Sequence, residues 1–321
     1  MDLKPRIFIG SSSEGYSVAQ KIFDLISDVA ECILWNDVFD LNKSNYENLS
    51  LQIALYDYAI LIATSDDVVI SRGKKKNSAR DNVLFEFGLL AGGLGRTRVF
   101  YVTEKNLKIP SDLLGISLPE ILNELDPKYN ASITVVANQI KKHIKDKENT
   151  FDLSFLPSTA LAYGYFINFV ERTVERLLED KQQGKVFNLE NNKEFKIKSL
   201  QFSILIPDDL ADDMFKKVKA KRLKDDWQKL KVDPKDIRDY DFSVDVTKAE
   251  EGLLHLVDIP FTLNALNKAV ELYSKKEHLG KDVKEKLLEH REIRNFKRTL
   301  EYLISSSSLA KDIVSVEVID I

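Results

Sequence analysis

The chain has 321 residues, 44% of them hydrophobic and 31% charged, with a net charge of −4 that is not segregated along its length. That balance belongs to a folded protein with room for two domains, and it excludes a disordered chain and a basic nucleic-acid-binding module. The single cysteine, Cys32, forms no internal disulfide, and four scattered histidines offer no metal-ligand spacing. No signal-peptide pattern precedes the first strand-like segment, and no apolar run reaches the ~20 residues of a membrane helix, so the expectation is a soluble, cytoplasmic protein.

Arg6–Ile9 followed by Gly10–Gly15, GSSSEG, reads as a buried strand, a small-residue turn and a helix from about Tyr16. Hydroxyls and glycines between a strand's C-terminal end and a helix N-terminus suit an anion or a ribose; serine runs also cap helices with no ligand. A strand at Cys32–Trp35 leads into a polar loop at Asn36–Asn45, a helix to about Tyr56 and a strand at Tyr58–Ala63. Thr64–Ala79 reads as a loop with Lys74, Lys75 and Lys76 at a solvated tip.

Arg80–Gly93, RDNVLFEFGLLAGG, has helical spacing from Asp81 to Leu90, with Gly92, Gly93 and Gly95 ending it and Asp81 and Asn82 as capping residues at its start. It sets one carboxylate, Glu86, among Val83, Leu84, Phe85, Phe87, Leu89 and Leu90. An acid in such company costs free energy to bury unless it is neutral, paired (Arg80 is the cation at hand) or used. Arg98–Thr103 reads as a further strand and Ile133–Ile144 as an amphipathic helix. Alternating strands and helices predict a doubly wound parallel sheet with ligands at the strands' C-terminal ends. The Ser11–Ser13 turn, the Trp35–Phe39 loop and the Glu86 helix all belong at that edge.

FIGSSSEG, WNDVF and RDNVLFEFGLLAG, in that order over about residues 5–145, resemble the bacterial TIR-like nucleotide-binding domain. The resemblance implies cleavage of NAD+ between nicotinamide and ribose, with Glu86 in the place of the family's catalytic glutamate. Around the substrate it suggests Ser11 and Ser12, Trp35 and Phe39 as pocket walls or ordinary packing, and Asp37 as a second polar contact. One carboxylate suffices for this chemistry. The pyridinium leaves without needing a proton, and a carboxylate beside the ribose stabilises the oxocarbenium character that develops there.

Lys145–Asp152 is a charged run that reads as a linker and divides the chain into domains at 1–148 and 149–321. Pro157 starts a helix whose apolar stripe, from Leu161 to Leu178, is wider than one domain face requires and suits a dimer interface. Phe195–Ile206 alternates as a strand, Asp208–Lys235 reads as a helix and a charged surface loop, and Ile237–Val246 as an exposed hairpin. Leu253–Asp258 is a strand running into Pro260 at a helix start. A long charged helix at about Lys281–Ser305 and a strand at Ile313–Ile319 complete an α+β domain.

LAYGYFINFVERTV, SLQFSILIPDD, IRDYDFSV and LVDIPFTLNAL cover most of residues 157–321 and resemble the cyclic-dinucleotide-binding domain of STING proteins in its prokaryotic form. TIR-like plus STING-like in one chain resembles the TIR-STING effectors of bacterial anti-phage (CBASS) systems. What this implies is an NAD+ hydrolase activated by cyclic di-GMP, a homodimer assembling into higher oligomers or filaments, with no nucleic-acid or membrane partner and no resident cofactor. A two-fold ligand suits a two-fold dimer. By the resemblance Phe169 stacks on a base, Arg238 on the lid meets a phosphate, Asp258 accepts from guanine N1–H and its amine, and Thr262 reaches phosphate. Tyr165, Asn168 and Tyr240 are further contacts. Each has a plain alternative: Phe169 as core, Arg238 as a surface ion pair, Asp258 as an N-cap. Rival readings of the whole are a signalling adaptor whose TIR-like domain only assembles, and a nucleoside deoxyribosyltransferase.

Overall fold

The computed structural model describes residues 4–37, 53–71, 74–110, 113, 117–149, 156–189, 193–223, 227–232, 240–274 and 283–321. The chain divides into two compact units between Thr150 and Phe151.

The first unit contains β1 (Arg6–Ser11), α1 (Tyr16–Ile26), β2 (Glu31–Leu34), β3 (Tyr58–Ala63), β4 (Asp67–Ser71), β5 (Lys74–Ser78), α2 (Asp81–Leu94), β6 (Val99–Glu104), β7 (Glu120–Ile121) and α3 (Tyr129–Asn149). Its main sheet has the order β2-β1-β3-β6-β7 with every pairing parallel. The cause lies in β1 and β3, RIFIGS and YAILIA, which are buried at every position, as strands covered on both faces must be. Ile7, Ile9, Ile60 and Ile62 point to α1 and α3, while their neighbours Phe8, Ala59 and Leu61 point to Val83, Phe87 and Leu90 of α2. Helices therefore sit on both faces, as the alternating pattern predicts.

Three local readings are corrected. Thr64–Ala79 is not a loop: β4 and β5 pair antiparallel, with Lys74–Lys76 on a strand rather than at a tip. The β-branched run Val68-Val69-Ile70 outweighs the charge that follows it. The Glu86 helix continues through Gly92 and Gly93 to Leu94, and Gly95, at φ 91°, ends it. Gly93 is there for space, because a Cβ would lie 2.5 Å from Cγ2 of Ile53. Finally, α3 runs on to Asn149, so Lys145–Asn149 is helix and not linker. Residues 38–52, where the sequence places the rest of the polar loop and a helix, lie outside the described residues.

The second unit contains α4 (Pro157–Tyr165), a π-helical turn (Phe166–Val170), α5 (Glu171–Gln182), β8 (Val186–Asn188), β9 (Glu194–Lys196), β10 (Ser199–Pro207), α6 (Met214–Arg222), β11 (Trp227–Val232), β12 (Tyr240–Asp245), α7 (Val246–Glu250), β13 (Leu253–Asp258), α8 (Thr262–Ser274), α9 (Val283–Ser306) and β14 (Val314–Ile319). The sheet order is β11-β12-β13-β10-β14, parallel from β13 through β14 and antiparallel at β11 and β12. The predicted exposed hairpin is instead part of this sheet: β12 pairs on both sides, and Phe242 and Val244 are buried. The strand read over Phe195–Ile206 is two strands in different sheets.

The charged helix α9 is an interior element. Glu289, Glu292 and Asn295 are buried; Glu292 accepts from the Ser158 amide at 3.1 Å, and Asn295 donates to the Ser158 and Thr159 hydroxyls at 3.0 and 2.7 Å. Such groups tolerate burial because they are hydrogen-bonded. Among the described residues no helix is long and apolar enough to cross a membrane.

Candidate functional site

In the first unit the chain turns at the C-terminal end of β1. A Cβ at Gly10 would come within 2.7 Å of Leu61 Cδ1 and 2.9 Å of Phe8 Cε1, so only glycine fits. The same Cβ would stand 3.5 Å from Oε2 of Glu86, which reaches this strand end from α2. Glu86 is half-buried and has neither a hydrogen bond nor an ion pair among the described residues. Burial alone pushes its pKa from 4.5 up to about 7. The alternative of a Glu86–Arg80 pair is ruled out, since Arg80 bonds Glu14 at 2.6 Å and thereby ties the serine turn to the start of α2.

The two serines divide their labour. Ser12 closes the turn: its hydroxyl accepts from the Gly15 amide at 3.1 Å and lies 3.3 Å from the Thr64 hydroxyl at the end of β3. The Ser11 hydroxyl is buried and has no hydrogen-bond partner among the described residues. Trp35 sits in a 3₁₀ turn (Trp35–Asp37) and packs against the same apolar cluster as α2. The side chain of Asp37 and all of Phe39 lie outside the described residues. Thr64 joins the turn unannounced by any sequence motif, because only the pairing of β1 with β3 brings it there.

In the second unit, Asp258 ends β13, half-buried, and the Tyr165 phenol donates to its Oδ2 at 2.7 Å. Burial pushes the Asp258 pKa from 3.8 up to about 6, against the opposing pull of the Tyr165 and Ile259 hydrogen bonds and the Lys219 charge. Burial, and then the Asp258 charge, hold the Tyr165 phenol well above its usual range. Asp258 is thus not an N-cap, and α8 begins at Thr262, two residues past Pro260. The Thr262 hydroxyl is buried and has no partner among the described residues.

Phe169 lies in the π-helical turn, a distortion that often marks functional sites. Its half-buried ring stacks on Phe242 (5.3 Å between centroids, 20° between planes) and leans on Tyr165 at 5.4 Å. Phe242 meets Phe202 edge-on at 5.5 Å. Tyr165 and Phe242 therefore hold the two residues, Asp258 and Phe169, that the sequence singles out. Asn168 is exposed; Arg238 and the side chain of Tyr240 lie outside the described residues.

Residues 6–123 match the family described as CAP12/Pycsar effector protein, TIR domain, and residues 157–301 match the prokaryotic STING domain. The chain is 37% identical to CD-NTase-associated protein 12 of Flavobacterium daejeonense, covering 98% of this chain and 99% of that one. It is 36% identical to the protein of the same name from Sphingobacterium faecium, over 98% of each. Pycsar effector protein BcPycTIR of Burkholderia cepacia is 32% identical over 44% of this chain and 48% of its own. A solved structure, bacterial STING in complex with c-di-GMP, covers 53% of this chain and 99% of that one at 34% identity and a TM-score of 0.44. With a TIR domain followed by a prokaryotic STING domain, and with that relative matched over nearly its whole length, the chain belongs to the CD-NTase-associated protein 12 family.

Proposed function

We propose that the chain is a cyclic di-GMP-gated NAD+ hydrolase that acts as an effector of anti-phage defence. The observation that carries the enzymatic half is the Glu86 carboxylate, half-buried, unpaired among the described residues and set against Gly10 at the C-terminal edge of β1. A half-buried carboxylate with no cation beside it among the described residues is costly to retain unless it acts on a ligand. NAD+ brings the positive charge that Glu86 lacks. As the bond to nicotinamide stretches, the ribose gains oxocarbenium character, and Glu86 stabilises it in a site of low dielectric. Nicotinamide departs neutral, water takes its place at the ribose carbon, and the proton that the water loses passes to solvent. The Ser11 hydroxyl, next to Gly10 on β1 and without a partner among the described residues, is the hydrogen-bonding group for the sugar.

The sensing half rests on Phe169, Asp258 and Thr262. A guanine stacks on Phe169, its N1–H and amine are accepted by Asp258, and the Thr262 hydroxyl meets a phosphate, as does Arg238 from the hairpin. Two copies of the chain sandwich one cyclic di-GMP, each supplying one such set. Ligand binding favours the state in which dimers assemble further and TIR domains meet; for that, the ligand must bind this state more tightly than the resting one.

The test is NAD+ consumption by the purified full chain, alone and with cyclic di-GMP or cyclic di-AMP, beside Glu86→Gln. Turnover that requires cyclic di-GMP and vanishes in Glu86→Gln is expected. Turnover without ligand removes the gating, and no turnover under any condition leaves an adaptor.

A further inference from the structure

Asp258 and Tyr165 are 93 residues apart in sequence, and one hydrogen bond of 2.7 Å joins them. Tyr165 is the last residue of α4 before the π-helical turn, and it is buried at 6% exposure. It offers a ligand no surface of its own. Its phenol has one strong partner, a carboxylate oxygen at the end of β13.

A carboxylate has about four lone-pair positions on its two oxygens. In Asp258 the phenol takes one of them, at Oδ2. Each oxygen keeps a lone pair to offer, which suits the two donors on a guanine Watson–Crick edge, N1–H and the exocyclic amine. Adenine presents an acceptor at N1 and has only its amine to give. A carboxylate that rotates freely accepts from any single donor; one pinned at Oδ2 is preorganised for a pair.

We propose that Tyr165 is a positioning residue for base selectivity: it holds the Asp258 carboxylate in the orientation that accepts two parallel donors, and so favours guanine over adenine without touching the ligand. This rests on the reading of the second unit as a cyclic-dinucleotide receptor and adds to it the origin of the preference. Specificity of this kind is large when a site's polar groups must all be paired, because the wrong base leaves one buried and unsatisfied.

The phenol has a second effect on the same group. Donating to the carboxylate favours its ionised form, against the burial that disfavours it. Lys219 acts weakly in the same direction as the phenol. Without the phenol, Asp258 stays protonated to a higher pH, and the pH at which guanine binding fails moves upward.

The experiment measures the affinity of the full chain for cyclic di-GMP and cyclic di-AMP from pH 5 to 8, in wild type, Tyr165→Phe, Asp258→Ala and the double variant. In Tyr165→Phe, cyclic di-GMP is expected to weaken about tenfold, the cost of ordering on binding a carboxylate that is no longer pinned. Cyclic di-AMP affinity should not change, and the pH midpoint for cyclic di-GMP should rise. In the Asp258→Ala background, Tyr165→Phe should add nothing, because the partner it positions is gone. Equal losses for both ligands with an unmoved pH midpoint, or additive losses in the double variant, would assign Tyr165 a packing role only and overturn the proposal. Unchanged binding in Tyr165→Phe overturns it while the receptor reading stands. If wild type binds neither ligand, the receptor reading falls and takes this inference with it.

Discussion

Oε2 of Glu86 lies 3.5 Å from the point where a Cβ of residue 10 would stand, so the acid of one helix and the missing side chain of one strand face each other. Gly10→Ala therefore tests packing and chemistry together. The new methyl meets Leu61 and Phe8, both buried core side chains that must shift to admit it. A loss of about 1–3 kcal/mol is expected from overpacking, measured by urea denaturation. NAD+ cleavage should fall further than the loss of folded protein explains, because the methyl occupies the approach to the carboxylate.

The pKa of Glu86 ties stability to pH. Folding raises it from 4.5 to about 7, so the folded protein holds this proton more tightly than the unfolded chain does. The cost of ionising it is absent below 4.5, grows between 4.5 and 7, and is complete above 7. Glu86→Gln should raise the stability of the first unit by on the order of 1–3 kcal/mol at pH 8 and leave it unchanged at pH 4. A variant equally stabilised at both pH values would contradict an isolated acid. In wild type, NAD+ cleavage should climb as pH rises through about 7, because the ionised form is the one that stabilises the ribose cation.

The Arg80–Glu14 pair is exposed, with 45% and 48% of the two side chains accessible. It contributes under about 1 kcal/mol to folding. Its value lies in joining the serine turn to the helix that carries Glu86. Arg80→Met should leave the thermal midpoint almost unmoved and raise KM for NAD+ several-fold, and the exchange Glu14→Arg with Arg80→Glu should restore it. A KM unchanged by Arg80→Met would show that the turn holds its place unaided.

The Thr262 hydroxyl is buried without a partner among the described residues, so Thr262→Val exchanges an unpaired oxygen for a methyl of similar size. Stability should stay level or increase by about 1 kcal/mol. Cyclic di-GMP affinity should drop. A stabilised protein that binds as well as wild type would remove Thr262 from the ligand site.

Much of this was legible along the chain. The runs RIFIGS and YAILIA can be nothing but central parallel strands, and an acid alone among Val83, Phe87 and Leu90 announces itself. Other features depend on partners far away in sequence. Phe242 looked exposed because β12 alternates, yet the rings of Phe169 and Phe202 pack on it. Three lysines hid a strand, since side-chain charge reports solvent access and not backbone pairing. Charge also disguised α9, whose carboxylates face amides rather than water. The partner of Asp258 could not be read at all, because no local pattern encodes a bond to Tyr165.

The π-helical turn at Phe166–Val170 has a consequence for how this stretch tolerates changes in length. Ala162, Phe166, Val170 and Val174 are all buried at intervals of four, where an ordinary helix with 3.6 residues per turn would drift off its face. The surplus residue absorbs that drift, so the helix carries two phases joined at a seam. Deleting Ile167 would leave eleven steps from Ala162 to Val174, about three turns of regular α-helix, so the seam would close with both halves still in phase. Val174 and Leu177 would stay in the core and Tyr165 on Asp258, while the turn that sets Phe169 against Phe242 would be gone. The same deletion near Gln182 would shorten the helix by one residue and leave that turn in place.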